Sequence, residues 1–383
     1  GDGLTDLVVG GVAMTDRSYI GAPQPDPYVN DTSDITDDDM INRRGRLNFN
    51  LRRRSKKIEG LNFGLNGNMM LNKSSTAFAW QDDTAKFYRG YPGAVLLADN
   101  VTMYFDPFVN YYSSLGNKHT FNNRILYTDT KANNDQSNRA LMVYNQYQFS
   151  KRFTNLGDLD FIAGLASQYT KSNSNMYASS GSPDNYIWNA SLFIELEKKF
   201  GNAWIVSLGA RIEHFRLNDS IIDTKPILRL GTSLKLAQET YLRASIGQGY
   251  RFPTITERYI RTSVGSFAVF NNPDLIPETS WNAEIGVKQG FKFLKFYGYF
   301  DAAIFYQEYD NTIEYLFGFW DYSFAIAGFK FVNTGKSKVT GIDISLNGQA
   351  KFGKASEINL MFGYTYVEPV SLEPDLIFAV DDR

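Results

Sequence analysis

The sequence predicts an all-β fold, a transmembrane antiparallel β-barrel, and three observations carry that prediction. Apolar and polar residues alternate one by one over long stretches. Short, mostly lysine-bearing turns take turns along the chain with long loops rich in Asn, Ser, Asp, Tyr and Pro. No run approaches the ~18 apolar residues of a membrane-spanning helix.

The alternation is clearest in three segments. Leu61, Phe63, Leu65 and Met69 alternate with Asn62, Gly64, Asn66 and Asn68. Trp281, Ala283, Ile285 and Val287 alternate with Asn282, Glu284, Gly286 and Lys288, and Ile342, Ile344 and Leu346 with Asp343, Ser345 and Asn347. Side chains change face at every residue only in an extended chain. One apolar and one polar face on successive strands suits a sheet with lipid outside and water inside.

Seven short connections punctuate the chain, at residues 55–60, 116–118, 150–158, 198–202, 235–239, 289–294 and 352–354. Each carries turn residues between strand-like segments. The long polar stretches include 19–41, 76–100, 172–185, 250–278 and 311–332. Short turns at one end and long loops at the other is the asymmetry of bacterial outer-membrane barrels. Strands bracketing the seven turns, plus one starting near Leu4, give about fifteen. Residues 184–200 and 202–217 make a hairpin with arms of roughly 15 residues, more than the ~10 that cross a bilayer and far more than the ~5–6 of a soluble sheet.

A sheet in lipid must close, because unpaired edge groups there cost several kcal/mol each. The odd count, and the ending Asp381-Asp382-Arg383 without a closing aromatic strand, lead us to expect closing strands beyond the C-terminal side. A further domain is expected before Gly1. Residues 1–383 are therefore read as a barrel portion.

Composition agrees. Phe 29 and Tyr 24 raise the aromatic content to 15%, as interfacial girdles require. The mean hydropathy of -0.32 is compatible with a barrel whose strands are half polar. The net charge of -2 speaks against a nucleic-acid footprint. Zero cysteines exclude disulfides and thiolate chemistry, and two distant histidines, His119 and His214, offer little for a catalytic or zinc site. No carboxylate pair, nucleophile triad or phosphate loop stands out, so no catalytic residue, no cofactor and no enzymatic activity are assigned.

Two segments carry a resemblance to a known family. One is Gly249-Tyr250-Arg251-Phe252-Pro253, preceded by Ser245 to Gln248 and followed by Asn272-Pro273-Asp274-Leu275-Ile276-Pro277-Glu278. The other is Val332-Asn333-Thr334-Gly335 leading to Gly341-Ile342-Asp343. Together they resemble the mid-barrel and a later strand of TonB-dependent outer-membrane receptors. Loop lengths resemble the Bacteroidetes-type members with a carboxypeptidase-like N-terminal domain. The resemblance implies a 22-stranded barrel, a plug domain inside it, and nutrient uptake driven by the TonB–ExbB–ExbD complex, with membrane lipid around the barrel and a surface lipoprotein as a further partner. No plug or TonB box is legible here, so energy coupling is implied by the resemblance alone. The alternative is a passive outer-membrane channel, or a barrel scaffold for surface lipoproteins or secretion machinery.

Pro253 fixes φ and removes a donor, marking where a strand leaves the sheet for a long loop. Arg251, Glu257 and Arg258 either serve that exit or present charge to cargo. Loop aromatics are the other ligand-binding candidates: Trp80, Phe87, Tyr88 and Tyr91 in one loop, and Phe317, Phe319, Trp320 and Tyr322 in another. Exposed rings stack on sugars, siderophores or peptides, and equally pack loops together. Asp34, Asp37 and Asp39 lie in an acidic stretch whose oxygens suit Ca²⁺, but the spacing of an EF-hand is missing and a solvated acidic loop explains them as well. Arg46 and Arg52 share parity with Asn48 and Asn50 and are expected on the polar face, while Arg53 and Arg54 sit at the short-turn end.

Overall fold

The computed structural model describes residues 4–17, 19–24, 34–82, 88–133, 135–264, 267–320, 326–353 and 356–376. Among the described residues fifteen strands form one antiparallel sheet in chain order. They are Thr5–Arg17, Ile41–Arg54, Leu61–Ala77, Val95–Tyr112, Asn117–Ala132, Asn138–Phe153, Leu159–Asn173, Asp184–Phe200, Trp204–Leu217, Ile221–Ala237, Thr240–Arg251, Glu278–Phe293, Phe296–Asp310, Ser337–Phe352 and Ser356–Ser371. Among the described residues the first and last of these pair with one neighbour each and not with each other.

Because consecutive strands are antiparallel, connections alternate between the two ends of the sheet. All seven connections at one end are short, from 238–239 and 294–295 up to 55–60. Several turn through left-handed residues, Gly60 at φ 78 and Gly201 at φ 60 among them. A side chain at Gly60 would strike the Tyr112 carbonyl, so only glycine fits there. The opposite end carries the loops 18–40, 78–94, 174–183, 252–277 and 311–336, together with two short links at 133–137 and 218–220 that the sequence pattern did not separate. The strands also reach further than expected, running to Ala77 and restarting at Val95 where a loop was read over 76–100.

Register holds the two faces apart across the sheet. Leu47 pairs with Met69, Leu51 with Leu65, Ile285 with Ile304 and Ile304 with Ile342, all on the apolar face. Asn48 pairs with Asn68 and Asn50 with Asn66 on the polar face, and both pairs hydrogen-bond through their side-chain amides. Arg46 joins this row, its Nε donating to Asn48 Oδ1 at 2.8 Å.

Aromatic rings band the apolar face at both heights. Towards the short turns, Tyr111, His119, Phe149, Phe161 and Phe153 follow one another at 5.2 to 6.3 Å, and Phe200 meets Trp204 at 5.0 Å. Towards the loops, Tyr169 meets Tyr186 at 5.8 Å, Trp188 meets His214 at 5.8 Å and Trp281 meets Tyr306 at 5.0 Å. From Phe161 to Tyr169 the strand rises about 26 Å, or about 20 Å along the normal at a tilt of ~40°, close to the ~25 Å apolar band of an outer-membrane barrel. The exposed Leu165, Leu192, Leu208, Ile212 and Leu228 fill the space between the two bands.

The polar face is not uniform. Its first strands mix amides with arginines, with Asn110 donating to Asn62 at 3.3 Å beside the asparagine pairs and Arg46 above. Its later strands carry charge. Arg243 is held between Glu284 at 3.1 Å and Asp301 at 2.6 Å, and Arg211 bonds Glu213, which also accepts from Asn189 at 2.7 Å.

Candidate functional site at the outer loops

The loop end is built on the exit of Thr240–Arg251. The Thr240–Arg251 strand gives way at Phe252-Pro253 to a single helical turn, Ile255–Tyr259. Thr254 and Glu257 close a reciprocal capping box on that turn, which satisfies its first amides. Ile255 and Tyr259 then pack with Tyr177, Leu217 and Phe252 into a buried cluster, Phe252 stacking on Phe215 at 5.1 Å. Tyr177 Oη meets Thr256 Oγ1 at 2.9 Å, and Ser179 Oγ donates to the Tyr259 carbonyl at 2.8 Å. Loops 174–183 and 252–277 are thereby one packed unit over the strands beneath them.

The sequence-predicted arginines have defined places in this unit. Arg251 bridges Glu257 at 2.7 Å and Glu278 at 3.5 Å, and Glu278 is also its register partner on the next strand. Arg258 is buried, only 5% exposed, and donates to the carbonyls of Pro273, at 2.6 Å, and Leu275. Burial holds its pKa below the usual arginine value. The two family-like motifs meet here. The Asn333 side chain accepts from the Ile276 amide at 3.0 Å, and donates to the Ile276 carbonyl at 3.1 Å and the Asn311 carbonyl at 2.8 Å. Asn272 donates to the Phe331 carbonyl at 2.9 Å, so each motif holds the other in place.

The loop aromatics fall into two groups on two small sheets. Ile20–Gly21, Tyr88–Gly90 and Trp80–Asp82 form one sheet, where the Tyr88 ring lies 5.2 Å from Trp80 and 5.9 Å from Tyr19. Tyr91 follows directly, its amide bonded to the Ala79 carbonyl at 2.8 Å. Thr262–Val264, Phe267–Phe270, Ala327–Asn333 and Ile313–Phe319 form the second sheet. There Tyr315 pairs with Phe331 and Phe317 with Phe329, with ring centroids 4.6 and 5.1 Å apart, and Phe267 meets Phe317 at 5.3 Å. Tyr315, Phe317, Phe319 and Phe267 are exposed. Trp320 donates to the Gly328 carbonyl at 2.9 Å, and Lys330 lies 5.7 Å from its ring.

The sequence reading singled out Phe317, Phe319 and Trp320 of this second group and missed Phe267, Tyr315, Phe329 and Phe331. The signal was present: Tyr315-Leu316-Phe317-Gly318-Phe319 alternates with a period of two inside a stretch read as loop. Phe87 and Tyr322 lie outside the described residues. The two aromatic groups sit on separate sheets, in loops leaving different parts of the wall.

Three carboxylates of the acidic stretch have partners within the protein. Asp37 accepts from the Ala22 amide at 2.9 Å, Asp38 pairs with Arg43 at 2.8 Å, and Asp39 accepts from Thr36 and from Lys73 at 3.2 Å. The hydrogen bond from the Thr36 hydroxyl is the largest reason that Asp39 titrates below the usual carboxylate range. Asp34 is exposed, and Asp31, within the same acidic stretch, lies outside the described residues. Among the described residues no group of three or more His, Asp or Glu is arranged to hold a metal ion.

Residues 9–382 match the family described as TonB dependent receptor-like, beta-barrel. No curated protein matches the chain. Among solved structures, the hemophore receptor HasR of Serratia marcescens, in complex with its hemophore and heme, superimposes with a TM-score of 0.70 at 16% identity, over 96% of this chain and 60% of that one. The siderophore receptor PirA of Pseudomonas aeruginosa gives 0.67 at 14% identity, over 88% of this chain and 58% of that one. The FrpB iron transporter of Neisseria meningitidis gives 0.68 at 12%, over 96% and 58%. At these identities the likeness concerns the fold, and the chain spans about three fifths of each relative.

Proposed function

The chain belongs to the TonB-dependent receptor-like β-barrel family of the Gram-negative outer membrane, and from that premise we propose that it is the wall of a nutrient receptor whose loops take cargo at the cell surface. The observation that supports this most is the two-ended build: all seven short turns at one end, and aromatic-bearing sheets mounted on the loops of the other. Loops held on a rigid wall are where binding side chains belong.

In this reading Trp80, Tyr88 and Tyr91 form one contact group for cargo, and Phe317 and Trp320 form the other. Arg251, already neutralised by two carboxylates, is a positioning residue that fixes where the loop departs. The rest of the receptor belongs to the proposal too: closing strands, a plug in the lumen, and energy delivered through it by TonB–ExbB–ExbD. Membership of the Bacteroidetes-type group, a carboxypeptidase-like N-terminal domain and a surface-lipoprotein partner extend the same reading. The relatives described above are a siderophore receptor, a hemophore receptor and an iron transporter, which supports cargo capture without selecting a cargo.

The test is tryptophan fluorescence of the receptor purified from outer membranes, titrated separately with a ferric catecholate, heme, a copper(II) salt and a neutral trisaccharide. Saturable quenching by one of them, weakened at least tenfold in the Trp80→Ala, Tyr88→Ala double variant, is the expected result. Quenching by none, or quenching indifferent to those substitutions, would contradict the assignment of the loops.

A further inference from the structure

We propose that the outward face of the wall carries, at its short-turn end, a site for an anionic glycerophospholipid whose phosphate sits between Lys151 and Lys198. Both lysines lie on the apolar parity. Lys151 follows Tyr147 and Phe149 along Asn138–Phe153, and Lys198 follows Leu192, Ile194 and Leu196 along Asp184–Phe200. Register agrees, since Lys151 stands opposite Phe161, whose other partner is Leu196. The strand Leu159–Asn173 separates them, which sets their backbones about 10 Å apart. Lys198 leans back across this gap, over the turn that follows Lys151: a methyl group on Gly157 would stand 3.9 Å from its Nζ. The Nζ of Lys151 lies 5.1 Å from the Phe153 ring centroid, and that of Lys198 5.4 Å from Phe200. Each stem runs beside a girdle ring and carries its ammonium towards the end of the wall, as snorkelling lysines do.

Charge selects the ligand class. At the loop end, outward cations have carboxylates: Lys73 meets Asp39 at 3.2 Å, Arg139 meets Asp129 at 3.3 Å and Lys171 meets Asp184 at 3.4 Å. Among the described residues neither Lys151 nor Lys198 has one. The salt bridge of this hairpin lies on the polar face, where Arg152 bonds both oxygens of Asp160 at 2.7 Å, and Glu197 stands opposite Asp160 on that same face. Asp158, in the turn, bridges neither lysine. Arg53 is a third outward cation at this end, and no Asp or Glu of the fifteen strands lies outward there. Unpaired ammonium groups beside an apolar band call for an anion that also brings hydrocarbon. The exposed Leu165, Leu192, Ile194 and Leu208 continue from the lysines towards mid-wall, with Phe200 and Trp204 at the border. A phosphodiester carrying acyl chains satisfies both halves, whereas free phosphate satisfies the lysines alone. A zwitterionic headgroup brings its own ammonium and gains less from them.

This inference rests on the wall standing in a membrane, and its experiment separates the two. The receptor purified from outer membranes is stripped of lipid in a neutral detergent and given equal amounts of phosphatidylglycerol and phosphatidylethanolamine. Native mass spectrometry then counts the adducts of each. Wild type should prefer phosphatidylglycerol, and the preference should weaken as salt rises. Each lysine beside an anionic headgroup is worth about fivefold in binding, so Lys151→Gln, Lys198→Gln should bind phosphatidylglycerol about thirtyfold more weakly. Lys151→Arg, Lys198→Arg should keep it, as should Lys171→Gln, whose lysine is already paired. Heat-modifiable gel mobility establishes that each variant is a folded barrel. Equal adducts of both lipids in wild type, or an unchanged preference in the double glutamine variant, would overturn the proposal and leave the membrane reading standing. Displacement of the lipid by inorganic phosphate at the same concentration would overturn the lipid assignment in favour of a simple phosphate site. Adducts of neither lipid would overturn the proposal together with the membrane reading.

Discussion

Asn333→Ala cuts the clasp between the two motifs at the loop end, and its effect follows from three hydrogen bonds. The Asn333 amide bonds the Ile276 amide and carbonyl on the exposed side, at 3.0 and 3.1 Å, and the part-buried Asn311 carbonyl at 2.8 Å. Water replaces the first two partners readily, so each is worth about 0.5 kcal/mol, while the part-buried bond is worth about 1 kcal/mol. The sum, about 2 kcal/mol, falls on local opening of loop 252–277, because the strands beneath keep their own ladder. Hydrogen exchange read by mass spectrometry should show peptides spanning Leu275 and Ile276 exchanging about 30-fold faster, with peptides of Thr240–Arg251 unchanged. Asn333→Asp keeps the acceptor for the Ile276 amide but faces two carbonyl oxygens with a carboxylate, and should open the loop at least as much. Exchange at Ile276 within threefold of wild type in both variants would refute the reasoning.

Gly298→Ala should lower the temperature at which the barrel loses its folded gel mobility, by an overpacking cost of about 1–3 kcal/mol, because the new methyl would press on the backbone of Asn347 and Gly348. Gly363→Ala, where nothing stands within 4 Å of the added methyl, is the matched control and should leave that temperature unchanged. The turn at residues 36–39 should depend on acid: Asp39 titrates below its unfolded value of ~3.9, so its contribution is complete above that value. It is lost as the pH falls through the lower folded value. Exchange at Thr36 and Asp39 should rise below about pH 4 in wild type and show no such rise in Asp39→Asn.

The wall was legible because each strand meets two different solvents, and a period of two records that directly. Leu61 to Met69 and Trp281 to Val287 assign their faces without reference to neighbours, and parity alone placed Arg46 and Arg52 with Asn48 and Asn50. Turn residues such as Gly201 and Gly353 announced the short end. The loop end was less legible because its order comes from contacts distant in sequence. Tyr88–Gly90 lies beside Ile20–Gly21, nearly seventy residues upstream, and strands of two or three residues carry too little pattern to be read alone. Arg251 looked available until the chain returned with Glu278, and the Asn333–Ile276 clasp joins motifs that appeared independent.

The central claim is that this sheet stands in the outer membrane with its long loops outside and its short turns inside, and the cysteine-free chain lets that be measured directly. Single cysteines placed at Ser179 and Asp274 in the loops, and at Ser113 and Asn202 in the turns, are treated with a membrane-impermeant maleimide on intact cells. The account predicts that Ser179→Cys or Asp274→Cys reacts on whole cells, whereas Ser113→Cys and Asn202→Cys react only after the outer membrane is opened. Labelling of the turn positions on intact cells, with both loop positions protected, would contradict it.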